Sequence, residues 1–232
     1  MSGADYVAKF RRSFGLETTE DQFITSGYMT LRFLLENYLP SNLHVQTDSS
    51  FSDSTNAENI DAGNSATENQ PNKIFAVGTK SFLAELRRNG LNITEQCEDG
   101  IACVVVAYDS ELTYEKLTEA SKVLLTTDVP FYGTNPDLRC PIDFGFIPDC
   151  GSMCEMIGHA VKREPVYIGK PEPGMVEMAL EENPYTKAQT LVVGDRLYTD
   201  ILCGVNAGVE TALVLTGEAP RGEEAESPYH AD

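Results

Sequence analysis

A chain of 232 residues with 36 acidic side chains against 17 Lys and Arg is long enough for one large domain or two modest ones with real cores. Its formal net charge of −19 is spread along the length, so nucleic acid and anionic membrane are repelled at long range and neither is expected as a partner. A phosphorylated substrate is not excluded, because a bound divalent cation inverts the local field.

No charged-then-apolar signal opens the sequence, and no apolar run is long enough to span a bilayer. The cysteines are Cys97, Cys103, Cys140, Cys150, Cys154 and Cys203. Cys103 and Cys203 sit in strongly apolar text, which fits reduced, buried thiols and a cytoplasmic protein better than a disulfide framework. Cys140, Cys150 and Cys154 lack the C-x-x-C spacing and a neighbouring His, so zinc is disfavoured.

In chain order, residues 5–14 place Tyr6, Val7, Phe10 and Phe14 on one helical face, with Gly15 as a stop signal. Phe23-Ile24-Thr25-Ser26 reads as a short strand, and 28–38 as an amphipathic helix. Residues 40–72 hold no Lys or Arg, are rich in Ser, Asn, Thr, Asp and Glu, and read as a disordered polar insertion. Order then returns as strand 73–78, helix 81–89 with Ser81 as N-cap, strand 103–108, helix 114–125 and a short strand within 129–135. The last third repeats this grammar: strand 165–169, helix 175–182, strand 190–195, helix 199–207 closed by Gly208, and strand 211–216. Short apolar strands alternating with helices predict an α/β fold around a mainly parallel sheet.

Two strands end in residues suited to phosphate chemistry. Lys170 follows the 165–169 strand and Asp195 ends the 190–195 strand, so both should project from the carboxyl edge where open α/β sheets bind ligands. A lysine there holds phosphate as a point charge. A carboxylate there holds Mg²⁺, which takes only one or two protein carboxylates. Asp200, one turn further, orients a ligand from behind the first. Taken singly, each has a plainer reading: a solvated lysine, an N-capping Asp195, and an Asp200 that complements a helix dipole.

The text Tyr167-Ile168-Gly169-Lys170-Pro171-Glu172-Pro173 and Val192-Val193-Gly194-Asp195-Arg196-Leu197-Tyr198-Thr199-Asp200-Ile201 resembles the third and fourth motifs of the haloacid-dehalogenase (HAD) superfamily, and more narrowly its NagD-like subfamily IIA of phosphatases. The resemblance runs through Gly133-Thr134-Asn135-Pro136-Asp137 and Ile147-Pro148-Asp149-Cys150-Gly151-Ser152, and back to Phe23-Ile24-Thr25-Ser26. It implies a Rossmann-like HAD core with an inserted α/β cap. Residues 1–26 would be a core remnant, 27–148 the cap with its insertion, and 149–232 the C-terminal part of the core. It also implies Mg²⁺-dependent hydrolysis of a small phosphorylated metabolite through an aspartyl-phosphate. On this reading Lys170 stabilises nucleophile and phosphate, Asp195 ligates Mg²⁺, and Asp200 supports that ligand. Asn135, Pro136 and Asp137 would face the substrate, and cap-mediated homodimers follow by resemblance only.

The chain departs from the family at its first motif. No Asp-x-Asp occurs anywhere in the sequence, so the nucleophile-bearing strand and the other first strands of the core are expected to be missing. An N-terminally truncated, inactive phosphatase and a non-catalytic binding or regulatory relative both remain open. A doubly wound nucleotide binder ranks last, for want of any G-x-G-x-x-G or G-x-x-x-x-G-K loop.

Overall fold

The computed structural model describes residues 3–39, 72–219, 221–222 and 225–232. Nearly all of the polar segment at 40–72 therefore lies outside the described residues. The helices are α1 (Gly3–Phe14), α2 (Ser26–Tyr38), α3 (Lys80–Arg88), α4 (Tyr114–Thr126), α5 (Cys150–Val161), α6 (Gly174–Glu182) and α7 (Leu202–Ala207). The strands are β1 (Lys73–Val77), β2 (Asn92–Thr94), β3 (Ile101–Val106), β4 (Phe131–Gly133), β5 (Arg139–Ile142), β6 (Gly145–Pro148), β7 (Val166–Tyr167), β8 (Leu191–Gly194) and β9 (Glu210–Leu213).

The larger sheet is wholly parallel, in the order β2-β1-β3-β4-β7. A parallel sheet covered on both faces needs strands that are apolar at every position, and Ile74 to Val77 and Cys103 to Val106 meet that demand with exposures of 2 % or less. Alternation sends Phe75, Val77, Val104 and Val106 to one face, where α4 contributes Ala120 and Val123 and α5 contributes Met153, Cys154 and Ile157. Ile74, Ala76, Cys103 and Val105 point the other way, onto Leu31 and Leu34 of α2 and Phe82, Leu83 and Leu86 of α3. A second parallel pair, β8–β9, packs Val192 against Val176, Leu180, Cys203, Ala207 and Val209. Together these make the α/β, Rossmann-like architecture expected from the sequence.

Some local expectations are corrected. Phe23-Ile24-Thr25-Ser26 is not a strand: Thr25 sits extended as the N-cap of α2, its hydroxyl accepting the Tyr28 N–H at 3.1 Å. Thr79 rather than Ser81 caps α3, accepting the Phe82 N–H. The 199–207 helix begins as a π-type turn, Leu197–Ile201, before α7, and ends as expected on Gly208 at φ 70°. Strand β2, the antiparallel hairpin β5–β6 and helix α5 had no counterpart in the sequence reading. Their exposed or irregular positions mask the period: β5 and β6 alternate between exposed and half-buried positions with no fully buried one, and α5 mixes Gly, Ser and Cys into its apolar stripe.

Candidate active site

Strands β4 and β7 of the larger sheet, and β8 of the smaller one, end at a common place. Lys170 lies just past β7, and its ammonium donates to Asp200 Oδ1. The other Asp200 oxygen accepts the backbone N–H groups of Asp195 (3.3 Å) and Arg196 (3.2 Å). The π-type turn produces this arrangement, because it folds Asp200 back beneath the end of β8; π-turns recur where a side chain must be aimed. Gly194 leaves room for it, since a Cβ there would fall 2.1 Å from the Asp200 Cβ. Burial opposes the Lys170 charge, but Asp200 and then Asp137 outweigh it, so the ammonium is held above the usual lysine range.

Asp195 is engaged differently. Its Oδ2 accepts the Glu218 N–H at 2.8 Å, and its carbonyl accepts the Ala219 N–H at 3.0 Å. Asp200 has both oxygens committed to protein donors, so of the two carboxylates only Asp195 retains an oxygen without a described protein donor. Among the described residues no three His, Cys, Asp or Glu side chains converge as a ready-made metal cage. One carboxylate is nevertheless within the one or two that Mg²⁺ takes from protein, the rest of its octahedron being waters and phosphate oxygens. Asp195 fits that role, and Asp200 fits the bracing role behind it.

The predicted substrate-facing segment adjoins this site. Asn135 turns back on itself, its Oδ1 accepting the Asp137 N–H at 3.1 Å. Pro136 and Asp137 pack on α5, where the Gly151 N–H donates to the Asp137 carbonyl at 2.8 Å. The Asp137 carboxylate is 3.1 Å from Arg196 Nη1. Burial raises its pKa above the ordinary value, with Lys170 and Arg196 pulling the other way. Asp149, the N-cap of α5, is also raised by burial, against the Cys150 N–H it accepts and the charges of Arg196 and Lys170. Tyr6 of α1 lies in the same field, its phenol raised by burial and by Cys140 and Asp149.

Lys170, Asp195 and Asp200 are therefore brought together, and Asp137 reaches them through Arg196. Arg196, Glu218, Asp149 and Tyr6 were not singled out from the sequence. Arg196 carried a signal, standing beside Asp195 in the Gly-Asp-Arg text. Glu218 carried none, because its place depends on how the chain returns after β9. Cys150 and Cys154, weighed for zinc, face each other at 3.9 Å in the core, with no third ligand among the described residues.

Residues 167–232 match the HAD-hydrolase-like family model. The chain is 32 % identical over 169 residues to 5′-nucleotidase YutF of Bacillus subtilis, covering 72 % of this chain and 64 % of that one. A solved structure described as a nagD protein is 30 % identical, with a TM-score of 0.76 over all of this chain and 76 % of its own. The chain belongs to the HAD-like hydrolases, in their NagD-like group. The 4-nitrophenylphosphatase of Thermotoga maritima shares the fold at 29 % identity and a TM-score of 0.77, again over all of this chain and 76 % of that one. The chain spans just under two thirds of the length of the curated nucleotidase it matches. No helix among the described residues is long and apolar enough to cross a membrane.

Proposed function

We propose that these residues form part of a Mg²⁺-dependent phosphomonoesterase acting on a small phosphorylated metabolite, such as a sugar phosphate or a nucleotide, in the cytoplasm. The observation that carries the reading is the meeting of Lys170 and Asp200 directly behind Asp195, on the ends of β7 and β8. A cation, a carboxylate with a free oxygen and a bracing carboxylate are what phosphoryl transfer needs for charge stabilisation and positioning. The activities for which the nucleotidase and the 4-nitrophenylphosphatase are named support the same class of reaction.

In this reading Lys170 holds a phosphate oxygen, Asp195 holds Mg²⁺ and Asp200 keeps both in register. When bound, the ion neutralises charge on the transferring group. Asn135, Pro136 and Asp137 line the approach to the phosphate, on a cap spanning 27–148 whose sheet is completed by β7 of the following core segment. Residues 1–26 are read as belonging to that core.

The nucleophile is the element the 232 residues do not supply, since they contain no Asp-x-Asp. Turnover by this chain alone is therefore expected to be negligible, and the same fact favours a second reading, a non-catalytic binding or regulatory HAD-like protein. A panel of sugar phosphates and nucleotides, assayed with Mg²⁺ on this chain and on one extended by an in-frame Asp-x-Asp strand, separates the two. Activity confined to the extended protein supports the phosphatase. A folded extended protein that hydrolyses none of the panel moves the binding role to the front.

A further inference from the structure

Arg196 is 9 % exposed, and its guanidinium faces three different segments. Nη1 meets Asp137 in the loop after β4 at 3.1 Å, Nη2 donates to the Arg139 carbonyl on β5 at 2.9 Å, and Nε donates to Glu218 in the loop after β9. Glu218 is gripped a second time by Arg139 Nε at 3.0 Å. The backbone of this last loop lies directly on Asp195: Glu218 N–H donates to Oδ2, and a Cβ at Gly217 would fall 1.9 Å from the same oxygen. A planar, multi-donor fork is the side chain that can hold three directions at once. At the opposite end, Asp137 Oδ1 is buried with no described partner, so the Arg196 contact is the one that fixes its carboxylate.

We infer that Arg196 is a positioning residue that couples the loop 134–137 to the loop 217–219, so that displacement of either one is felt at Asp195. Two segments that share one buried charged partner are energetically coupled, and the coupling is reciprocal. Substrate contact at Asp137 and seating of the Asp195 carboxylate thereby become one event. The functional meaning rests on the phosphatase reading of Asp195, but the coupling itself does not.

Amide hydrogen exchange on the folded, ligand-free chain tests it. Two reporters are local: the Glu218 and Ala219 amides, bonded to Asp195, and the Gly151 amide, bonded to the Asp137 carbonyl. Asp137→Asn should speed exchange at Glu218 and Ala219 by about fivefold, and Glu218→Gln should speed it at Gly151 to a similar degree. Arg196→Lys, which keeps charge but not the fork, should speed both sets and make a further Asp137→Asn change silent at Glu218. If each substitution affects only its own loop, or if all amides speed up together, the coupling is wrong. Should Arg196→Lys fail to fold, the reciprocal pair Asp137→Asn and Glu218→Gln still decides. Because exchange is read without turnover, loss of the coupling leaves the phosphatase reading standing, and an inactive extended enzyme leaves the coupling standing.

Discussion

Lys170 and Asp200 join the two sheets: the ammonium that follows β7 donates to the carboxylate in the turn after β8. Asp200 also satisfies two backbone N–H groups, at Asp195 and Arg196. Asp200→Ala strands all three donors, and leaving a buried donor unsatisfied costs about 1–3 kcal/mol. Lys170→Met removes one donor and leaves Asp200 its backbone partners, so its effect should be smaller. Urea denaturation of the two variants checks the order; an Asp200→Ala protein as stable as the parent would contradict the bracing role.

A buried ion pair lies just past the end of β3. Asp109, with a fully buried side chain, accepts from Lys116 Nζ at 2.6 Å, and the same ammonium donates to the Gly78 carbonyl at 3.0 Å. Removing one partner of such a pair costs about 3–5 kcal/mol, whereas replacing both by apolar groups is often neutral. Asp109→Ala should therefore lower the unfolding free energy by about that amount. Asp109→Leu combined with Lys116→Met should recover most of it in the same denaturation experiment.

Asp149 gives a pH dependence with a definite sign. Burial raises its carboxyl above the ordinary value of 3.8, against the pull of the Cys150 N–H, Arg196 and Lys170. The folded state thus binds this proton more tightly than the unfolded chain, and ionisation of Asp149 opposes folding. Its penalty is absent below pH 3.8, grows as pH rises through the folded-state pKa, and is complete above it. Asp149→Asn keeps an oxygen for the Cys150 N–H and should stabilise the protein at neutral pH, the gain vanishing at the acid end. Thermal melts across pH that show a constant or inverted difference would contradict this.

The β8 strand makes a prediction about solubility. Among the described residues it pairs only with β9, and Leu191 and Val193 are 54 % and 58 % exposed. An apolar strand with an unpaired edge templates association, and a lysine on that face is a natural remedy. Val193→Lys should reduce light scattering on warming without lowering the melting temperature. Unchanged aggregation would place the sticky surface elsewhere.

Much of this was legible in sequence, for reasons that differ by element. The strands Ile74–Val77 and Cys103–Val106 announced themselves because burial on both faces demands unbroken apolar runs. Lys170 and Asp195 were legible as residues that follow strands because an apolar run precedes each, and those runs hold β7 and β8. Asp200 was identified, but its π-type turn was not, since nothing in Leu197–Ile201 distinguishes that turn from an ordinary helix start. The Asp137–Arg196–Glu218 chain joins positions 59 and 22 residues apart, and no local period encodes such a meeting. The strand assigned to Phe23–Ser26 failed because an extended N-cap has strand-like dihedrals without a partner strand.

The most direct test of the proposed site is the Mg²⁺ dependence of phosphomonoester hydrolysis by the chain extended with an Asp-x-Asp strand, measured beside the same protein carrying Asp195→Asn. If Asp195 holds the ion, the parent hydrolyses its substrate only when Mg²⁺ is present, and Asp195→Asn removes that activity while the protein stays folded. Equal Mg²⁺-dependent rates in the two proteins would show that Asp195 is not the metal-holding carboxylate.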